Sequence, residues 1–466
     1  MKNIHDYKLY YFLGIGGIGM SALARYFKLK NKTIVGYDKT KSELTLQLER
    51  EGMDCHYDES IELLLKKIQP FSKEDVLVIY TPAIPQDHSE LKYFQTHHFD
   101  IKKRSEVLGE IVNQYHCIAV AGTHGKTTTT ALVTHIFHQA QQNIIAFVGG
   151  IMSNYQTNFI YKINHPLQPI FSITEADEYD KSFLRLHPET AVITSIDADH
   201  LDIYQTHQNL IDTYIAYADN IKNKGTLIVS KSVDKFFSNV KNIITFAVNL
   251  KGQIAASNLN FQNNKMLFDL HINDQTFKQI ELGIPGQHNV MNALAAIAVA
   301  RQYNISFENI FAALQSFKGV KRRFEYHIKN ENIVLIDDYA HHPEEIKAFL
   351  QSVKTLYPNK KITAVFQPHL YSRTKDFMDE FANVLSQYSD EIILLDIYPA
   401  REKPIENITS QTLLNKINHT NKKLLSKSEL ADYLNNTHQE VILTIGAGDI
   451  ELLIPEIKEK LTTKCN

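Results

Sequence analysis

Cysteine is scarce in this chain: Cys55, Cys117 and Cys465 are the only three, an odd number with no CxxC spacing. That excludes a disulfide framework and a structural zinc knuckle, and points to a reducing compartment. An excess of charge of either sign is also missing. A net charge of −3 gives no basic field for nucleic acid or an anionic membrane, so neither is expected as a partner. No stretch approaches the ~20 apolar residues that a membrane helix needs. The opening MKNIHDYKLYYFLGIGG has no long apolar run before a small-residue cleavage site, so it does not read as a signal peptide. Low-complexity linkers and short repeats are absent as well. What remains is a composition of 44% apolar and 22% charged residues, that of a soluble globular protein expected in the cytoplasm. At 466 residues, and roughly 150 per domain, about three domains are expected.

Short β-rich runs alternate with helical patterns from the start. LYYFLG (9–14), TIVGYD (33–38) and VLVIY (76–80) are separated by a glycine cluster with a helix and by a charged helix, and the loop TPAIP follows. Such alternation predicts βαβ units around a parallel sheet. IAVAG (118–122) runs directly into THGKTTTTALVTHIF, where Leu132, Val133, Ile136 and Phe137 share one helical face. Strands are predicted at 170–177, 190–196 and 225–230, short antiparallel strands from about 240 to 285, and a helix opening near Asn289. After GVKRRF (319–324) the alternation resumes with IVLIDD (333–338), ITAVFQ (362–367), EIILLDI (391–397) and VILTIGAGD (441–449). The predicted architecture is three α/β domains in series, at 1–113, 114–321 and 322–466. The first and last read as Rossmann-like and the central one as a phosphate-loop ATPase type.

The sharpest local pattern is AGTHGKTTTT. A strand ends at Ala121, Gly122 and Gly125 let the backbone curl, and a helix starts at Lys126. This arrangement aims backbone N–H groups and the positive helix end at an anion. Lys126 would neutralise phosphates and the Thr127 hydroxyl would meet Mg²⁺. Val120 stands where the usual GxxxxGK[ST] has its first glycine, so the loop is a shortened variant. The bland alternative is a glycine turn before an ordinary helix. EADEYD (175–180) and DADHLD (197–202) each follow an apolar strand, and strand C-termini line the crevice of an open parallel sheet. Carboxylates there suit a hard cation; Glu175 is the candidate for a first metal and His200 for a second. Each of these acids could instead be a solvated loop charge. GIGGIGM (14–20) precedes a helix, and Asp38 ends the next strand where a ribose-binding acid is expected. Alone this reads as NAD binding; physically it requires only an anionic phosphate on a helix N-terminus.

Taken together these motifs give a chain that resembles the Mur ligases of peptidoglycan synthesis over nearly its whole length. The likeness rests on GIGGIGMSALA, GTHGKTTTT, EADEYD, DADHLDIY, PGQHNVMNALAA (285–296), RRFE (322–325), DDYAHHPEE (337–345), FQPHLYSRT (366–374), DIYPAREKPI (396–405) and GAGD (446–449). GxGGxGM, DYxHHP and FQPHxYxR in this order point to the alanine-adding branch. The resemblance implies ATP and Mg²⁺, with UDP-N-acetylmuramate and L-alanine as the joined substrates, in cell-wall precursor synthesis by a monomer or weak homodimer. It displaces the NAD reading: Gly16, Gly17, Ile18, Gly19 and Met20, with Asp38 and Thr81, are implied to hold the UDP-substrate. Gly122, Thr123, His124, Gly125, Lys126, Thr127 and Thr128 are implied to hold ATP, together with His288, Asn289, Asn292, Arg323 and Asp338. Lys126, Glu175 and His200 take the catalytic places, with Thr127, Glu175 and His200 serving metal. Tyr339, His341, His369 and Arg373 are implied around the amino acid, Arg373 facing its carboxylate. Leu370 stands where many members have Arg. The segment TYIAYAD (213–219) has no lysine where other members carry a carbamylated one. His341 and His342 are also a reasonable helix start in any protein. The nearest rival is a muropeptide-recycling ligase that adds a preformed tripeptide; a folylpolyglutamate synthetase type would lack the GIGGIGM domain. From another class, a phosphate-loop regulator or NAD-binding protein would have no ligase activity.

Overall fold

The computed structural model describes residues 2–198, 201–249, 252–262, 265–400 and 402–463. Its contacts divide the chain into two compact units. One comprises Met1–Asn258, Phe268–Glu281 and Val290–Phe317, the other Leu259–Leu267, Leu282–Asn289 and Lys318–Asn466. Among the described residues no helix is long and apolar enough to cross a membrane.

The first sheet consists of β1 (Leu9–Leu13), β2 (Thr33–Tyr37), β3 (Asp54–His56), β4 (Val76–Tyr80) and β5 (Asp100–Lys103) in the order β3-β2-β1-β4-β5. Every pairing in it is parallel. Because successive side chains of a strand point to opposite faces, LYYFL feeds two cores at once. Tyr10 and Phe12 pack with Phe27 of the helix Ile18–Leu29 on one face, while Leu9, Tyr11 and Leu13 pack with Leu91 and Phe94 on the other. Burial on both faces is why the sequence is continuously apolar there. The single charged helix expected between residues 38 and 76 is instead two helices, Glu43–Arg50 and Ile61–Ile68, with β3 between them. Three residues are too few for an alternation pattern to reveal such a strand.

The second sheet has ten strands: β6 (His116–Ala121), β7 (Asn143–Met152), β8 (Thr157–Lys162), β9 (Ile170–Glu175), β10 (Thr190–Ile193), β11 (Thr226–Ser230), β12 (Ile243–Val248), β13 (Ile254–Gln262), β14 (Lys265–Ile272) and β15 (Gln275–Leu282). Their order is β15-β14-β13-β12-β11-β10-β6-β9-β7-β8. β6 lies between β9 and β10, parallel to both. The C-terminal ends of these three strands therefore fall side by side. β7 and β8 form an antiparallel hairpin at the edge. The antiparallel strands expected from about 240 need correcting at their start: β12 pairs parallel to β11, and β13 parallel to β12. The apolar run Phe246, Ala247, Val248 is buried and so extends the parallel core rather than leaving it.

The third sheet has β16 (Glu325–Lys329), β17 (Val334–Asp338), β18 (Ile362–Phe366), β19 (Glu391–Leu394), β20 (Lys422–Leu424) and β21 (Val441–Ile445), ordered β16-β17-β21-β18-β19-β20. Only β16 runs antiparallel to its neighbour. Apolar clusters cover both faces, with Phe349, Leu350 and Phe381 on one and Leu430, Ile454 and Ile457 on the other.

Candidate active site

The backbone between β6 and the helix Lys126–Gln139 turns through two left-handed glycines, Gly122 at φ 130° and Gly125 at φ 81°. Each is also pressed by a neighbour. A Cβ on Gly122 would stand 1.9 Å from the Thr194 hydroxyl, and one on Gly125 would stand 2.4 Å from Asn292 Oδ1. Both steric space and conformation therefore demand glycine. Thr194 and Ser195 follow β10 and stitch the loop in place. Thr194 N donates to Ala121 O at 3.1 Å, and His124 N donates to Ser195 Oγ at 3.1 Å. The Thr123 hydroxyl meets Ser195 Oγ at 2.8 Å and receives Asp197 N–H at 3.0 Å.

Lys126 opens the helix, and its ammonium donates to Gly122 O at 2.7 Å and to Glu178 Oε1 at 2.8 Å. Burial alone would depress this lysine, but Glu178, Asp177 and Glu175 together hold it above its ordinary value. It is therefore a fixed positive charge. Thr127 donates its hydroxyl to Glu175 Oε2 at 3.2 Å, and Gly149 N donates to Glu175 Oε1 at 2.6 Å. Burial pushes the Glu175 carboxyl up, against the pull of Gly149, Lys126 and Thr127. A half-buried carboxylate beside a threonine hydroxyl is a hard-oxygen donor pair that fits Mg²⁺. Asn292 closes the back of the loop and receives the Thr129 hydroxyl at 3.3 Å. Gly122, Thr123, His124, Gly125, Lys126, Thr127, Thr128, Glu175 and Asn292 thus come from one compact unit. His200 lies outside the described residues.

Two residues that the sequence reading left unassigned belong here. Glu178 was one acid among several in EADEYD, and only the fold shows it on Lys126. Gly149 sits in a β-run, where a paired glycine signals a close backbone approach; a Cβ there would fall 2.5 Å from Glu175 Oε1.

The N-terminal glycine loop occupies the crevice where the first sheet reverses its strand order, between β1 and β4. Gly14, at φ 87°, packs under Thr81 from the end of β4: a Cβ would meet Thr81 Cγ2 at 2.8 Å. Gly16 N donates to Asp38 Oδ2 at 2.8 Å, and Thr40 N to Asp38 Oδ1 at 3.0 Å. Asp38 therefore shapes this loop with both carboxylate oxygens. Gly17 caps the helix that begins at Ile18 and continues through Gly19 and Met20. The Arg104 guanidinium lies against Gly19, 2.6 Å from where a Cβ would be.

The remaining predicted residues lie in the second unit. Asp338, at the end of β17, receives Phe324 N and Ala340 N, each at 2.8 Å. Burial pushes its carboxyl up to about 6 despite Arg323 and these two donors. Arg323 lies 5.2 Å over the Tyr339 ring and 3.9 Å from Glu345. His288 is driven down to about 4 by burial and by the Arg323 charge. Asn289 donates its amide to Pro285 O at 2.6 Å. Tyr339 and His341 meet at 5.4 Å, His341 and His369 at 6.0 Å, and Arg373 Nη1 reaches His369 Nδ1 at 3.4 Å. The four predicted amino-acid residues therefore form one chain of contacts. Tyr398, which the sequence reading did not single out, stacks on His369 at 5.7 Å. The helix-start reading of His342 also holds, since its ring accepts Glu344 N–H ahead of Pro343. A separate group, Glu325, His327 and Asp337, gathers ligand atoms within 4.8 Å, but Arg322 Nε sits 3.2 Å from Asp337 and supplies the positive charge.

Three family models match in series: the Mur ligase family, catalytic domain over residues 9–116, the Mur ligase middle domain over 120–300, and the Mur ligase, glutamate ligase domain over 322–454. A UDP-N-acetylmuramate–L-alanine ligase of Flavobacterium psychrophilum is 47% identical over 462 residues, 99% of this chain and 100% of that protein. The crystal structure of the UDP-N-acetylmuramate–alanine ligase of Thermotoga maritima superposes with a TM-score of 0.81 at 27% identity, covering 98% of this chain and 99% of that one. A murein peptide ligase of Psychrobacter arcticus shares the fold, with a TM-score of 0.74 at 23% identity over 97% and 98% of the two chains.

Proposed function

The chain belongs to the Mur ligase family, and from that premise we infer that it joins L-alanine to the lactyl carboxylate of UDP-N-acetylmuramate at the expense of ATP. The observation that carries the reading is the loop Gly122–Thr128, with the Lys126 ammonium and the Thr127–Glu175 pair on its two sides. The alanine reading is preferred to the tripeptide-adding one because full-length relatives at 42–47% identity carry the alanine name, whereas the murein peptide ligase is 23% identical. We place the domain boundaries near residues 113 and 321.

An amine cannot displace oxide from a carboxylate. Transfer of the ATP γ-phosphoryl group to the lactyl carboxylate gives an acyl phosphate and ADP; attack by the alanine nitrogen then forms the amide and releases phosphate. Both steps crowd negative charge together, so preorganised positive groups are the main catalytic need. Lys126 and the first amides of its helix supply them at the phosphates. Thr127 and Glu175 would hold Mg²⁺, with His200 serving a second ion, and the metal supplies charge neutralisation when bound. We also assign nucleotide contacts individually to His288, Asn289, Asn292, Arg323 and Asp338, and UDP-substrate contacts to Gly16 to Met20 with Asp38 and Thr81. Tyr339, His341, His369 and Arg373 receive alanine, Arg373 pairing with its carboxylate. No protein nucleophile is required. The reaction belongs to a cytoplasmic enzyme.

The test is phosphate release from ATP by the purified chain. Release should require UDP-N-acetylmuramate and L-alanine jointly. Release with a tripeptide but not with L-alanine would overturn the acceptor, and release with neither would leave a simple nucleotidase.

A further inference from the structure

The mechanism uses Lys126 but not the carboxylate that holds it. Glu178 lies two residues before the strained pair Asp180 and Lys181, at φ 55° and 54°, and its side chain is fully buried. Its backbone is anchored, because the Tyr204 hydroxyl donates to its carbonyl. Oε1 then takes one Lys126 proton at 2.8 Å. An ammonium has three protons. One goes to Glu178, a second to Gly122 O at 2.7 Å, and among the described residues the third has a long contact of 3.4 Å to Thr123 O.

We propose that Glu178 is the positioning residue of the phosphate-loop lysine, clamping the ammonium so that one proton stays free for the triphosphate, at a cost in nucleotide affinity. This rests on the reading of Gly122–Thr128 as the ATP site. The cost is electrostatic: a buried negative charge in contact with the phosphate-binding cation offsets part of its attraction for an anion. Neutralising the carboxylate therefore strengthens nucleotide binding and, by releasing the lysine, slows phosphoryl transfer. A purely structural role would weaken both.

Titration calorimetry of the full chain with ATP in EDTA, beside steady-state turnover with Mg²⁺, reads the two directions separately. Glu178→Gln should bind metal-free ATP on the order of tenfold more tightly while its kcat falls at least as much. Binding equal to or weaker than wild type overturns the proposal. Should that variant not fold, Glu178→Asp keeps the charge but withdraws it by one methylene; it should shift both quantities the same way by less, and weaker binding overturns the proposal there too. Lys126→Met separates the two claims. If it binds ATP like wild type, the ATP site itself is misplaced. If it loses binding and Glu178→Gln gains none, only the role of Glu178 fails.

Discussion

The two glycine loops of this chain use one backbone device for two purposes. Each follows a buried parallel strand, turns through left-handed glycine and feeds a helix N-terminus: Gly14, followed by the extended cap Gly17, ahead of Ile18, and Gly122 and Gly125 ahead of Lys126. The side chains around them differ in charge. The first loop has no cation in its own helix turn, the Arg104 guanidinium reaching Gly19 from elsewhere in the chain, and gives a backbone N–H to an acid, Gly16 to Asp38. The second has Lys126 in that turn and two acids, the half-buried Glu175 and the buried Glu178, arranged around it. Backbone N–H groups are enough to seat a diphosphate that only has to be held. A phosphoryl group in transfer also needs a fixed cation and a metal donor set. The comparison teaches that the glycine pattern marks an anion site and the neighbouring charged groups decide its chemistry.

Removing the cation should break the difference most completely. Lys126→Ala is expected to lower turnover by roughly 10³-fold or more, because transition-state charge loses a preorganised donor. Near-normal turnover in a radiometric ligation assay would refute the site. A pair of glycine variants sharpens the comparison next. Gly122→Ala puts a methyl 1.9 Å from the Thr194 hydroxyl at φ 130° and should cost activity and stability together. Gly17→Ala, whose nearest contact would be 3.4 Å and whose φ is −63°, should fold with an unchanged melting temperature. Equal melting losses in the two would remove the steric argument. Smaller again is Asp38→Ala, which should raise the KM for UDP-N-acetylmuramate about tenfold, the scale of one lost charged contact, and leave the KM for ATP alone. If both constants move equally, the two loops are not separate subsites.

How much of this was legible from sequence follows from range. The loop Gly122–Thr128 reads directly because strand, glycine, lysine and helix are contiguous and each restricts the same few dihedrals. Three strands of the first sheet, β1, β2 and β4, were equally plain from their apolar runs. What connects across the fold was not. Glu178 is fifty-two positions from Lys126, and nothing local separates it from its acidic neighbours. Asp38 was expected at the end of the second strand as a ribose-binding acid; its hydrogen bond to Gly16 was not legible, because it depends on the β1–β2 register. Short strands such as β3, and the edge strands β8 and β16, carry too few buried residues to impose a period. Tyr398 became visible only when β18 and β19 brought it onto His369, one of the residues predicted around the amino acid.

The helices that leave the two loops extend the comparison to stability. The first buries Arg25, which pairs with Glu51 at 2.8 Å. The second buries His135 between two neutral hydroxyls, Tyr155 at Nδ1 (2.7 Å) and Ser316 at Nε2 (3.0 Å). Burial, with the His138 charge adding to it, drives His135 down to about 4 from 6.5. The folded chain therefore binds fewer protons than the unfolded chain between those values, so its stability rises with pH across that window. The contribution is complete above about 6.5 and is lost as pH falls toward 4. His135→Gln keeps a hydrogen-bonding group without the titration. It should cost about 1 kcal/mol at pH 7.5, and its deficit should shrink or reverse at pH 5.0, when only the wild type meets the proton penalty at this position. Thermal midpoints of both proteins at the two pH values measure this. A deficit that stays constant would mean that His135 takes up its proton as readily in the folded helix as in the open chain.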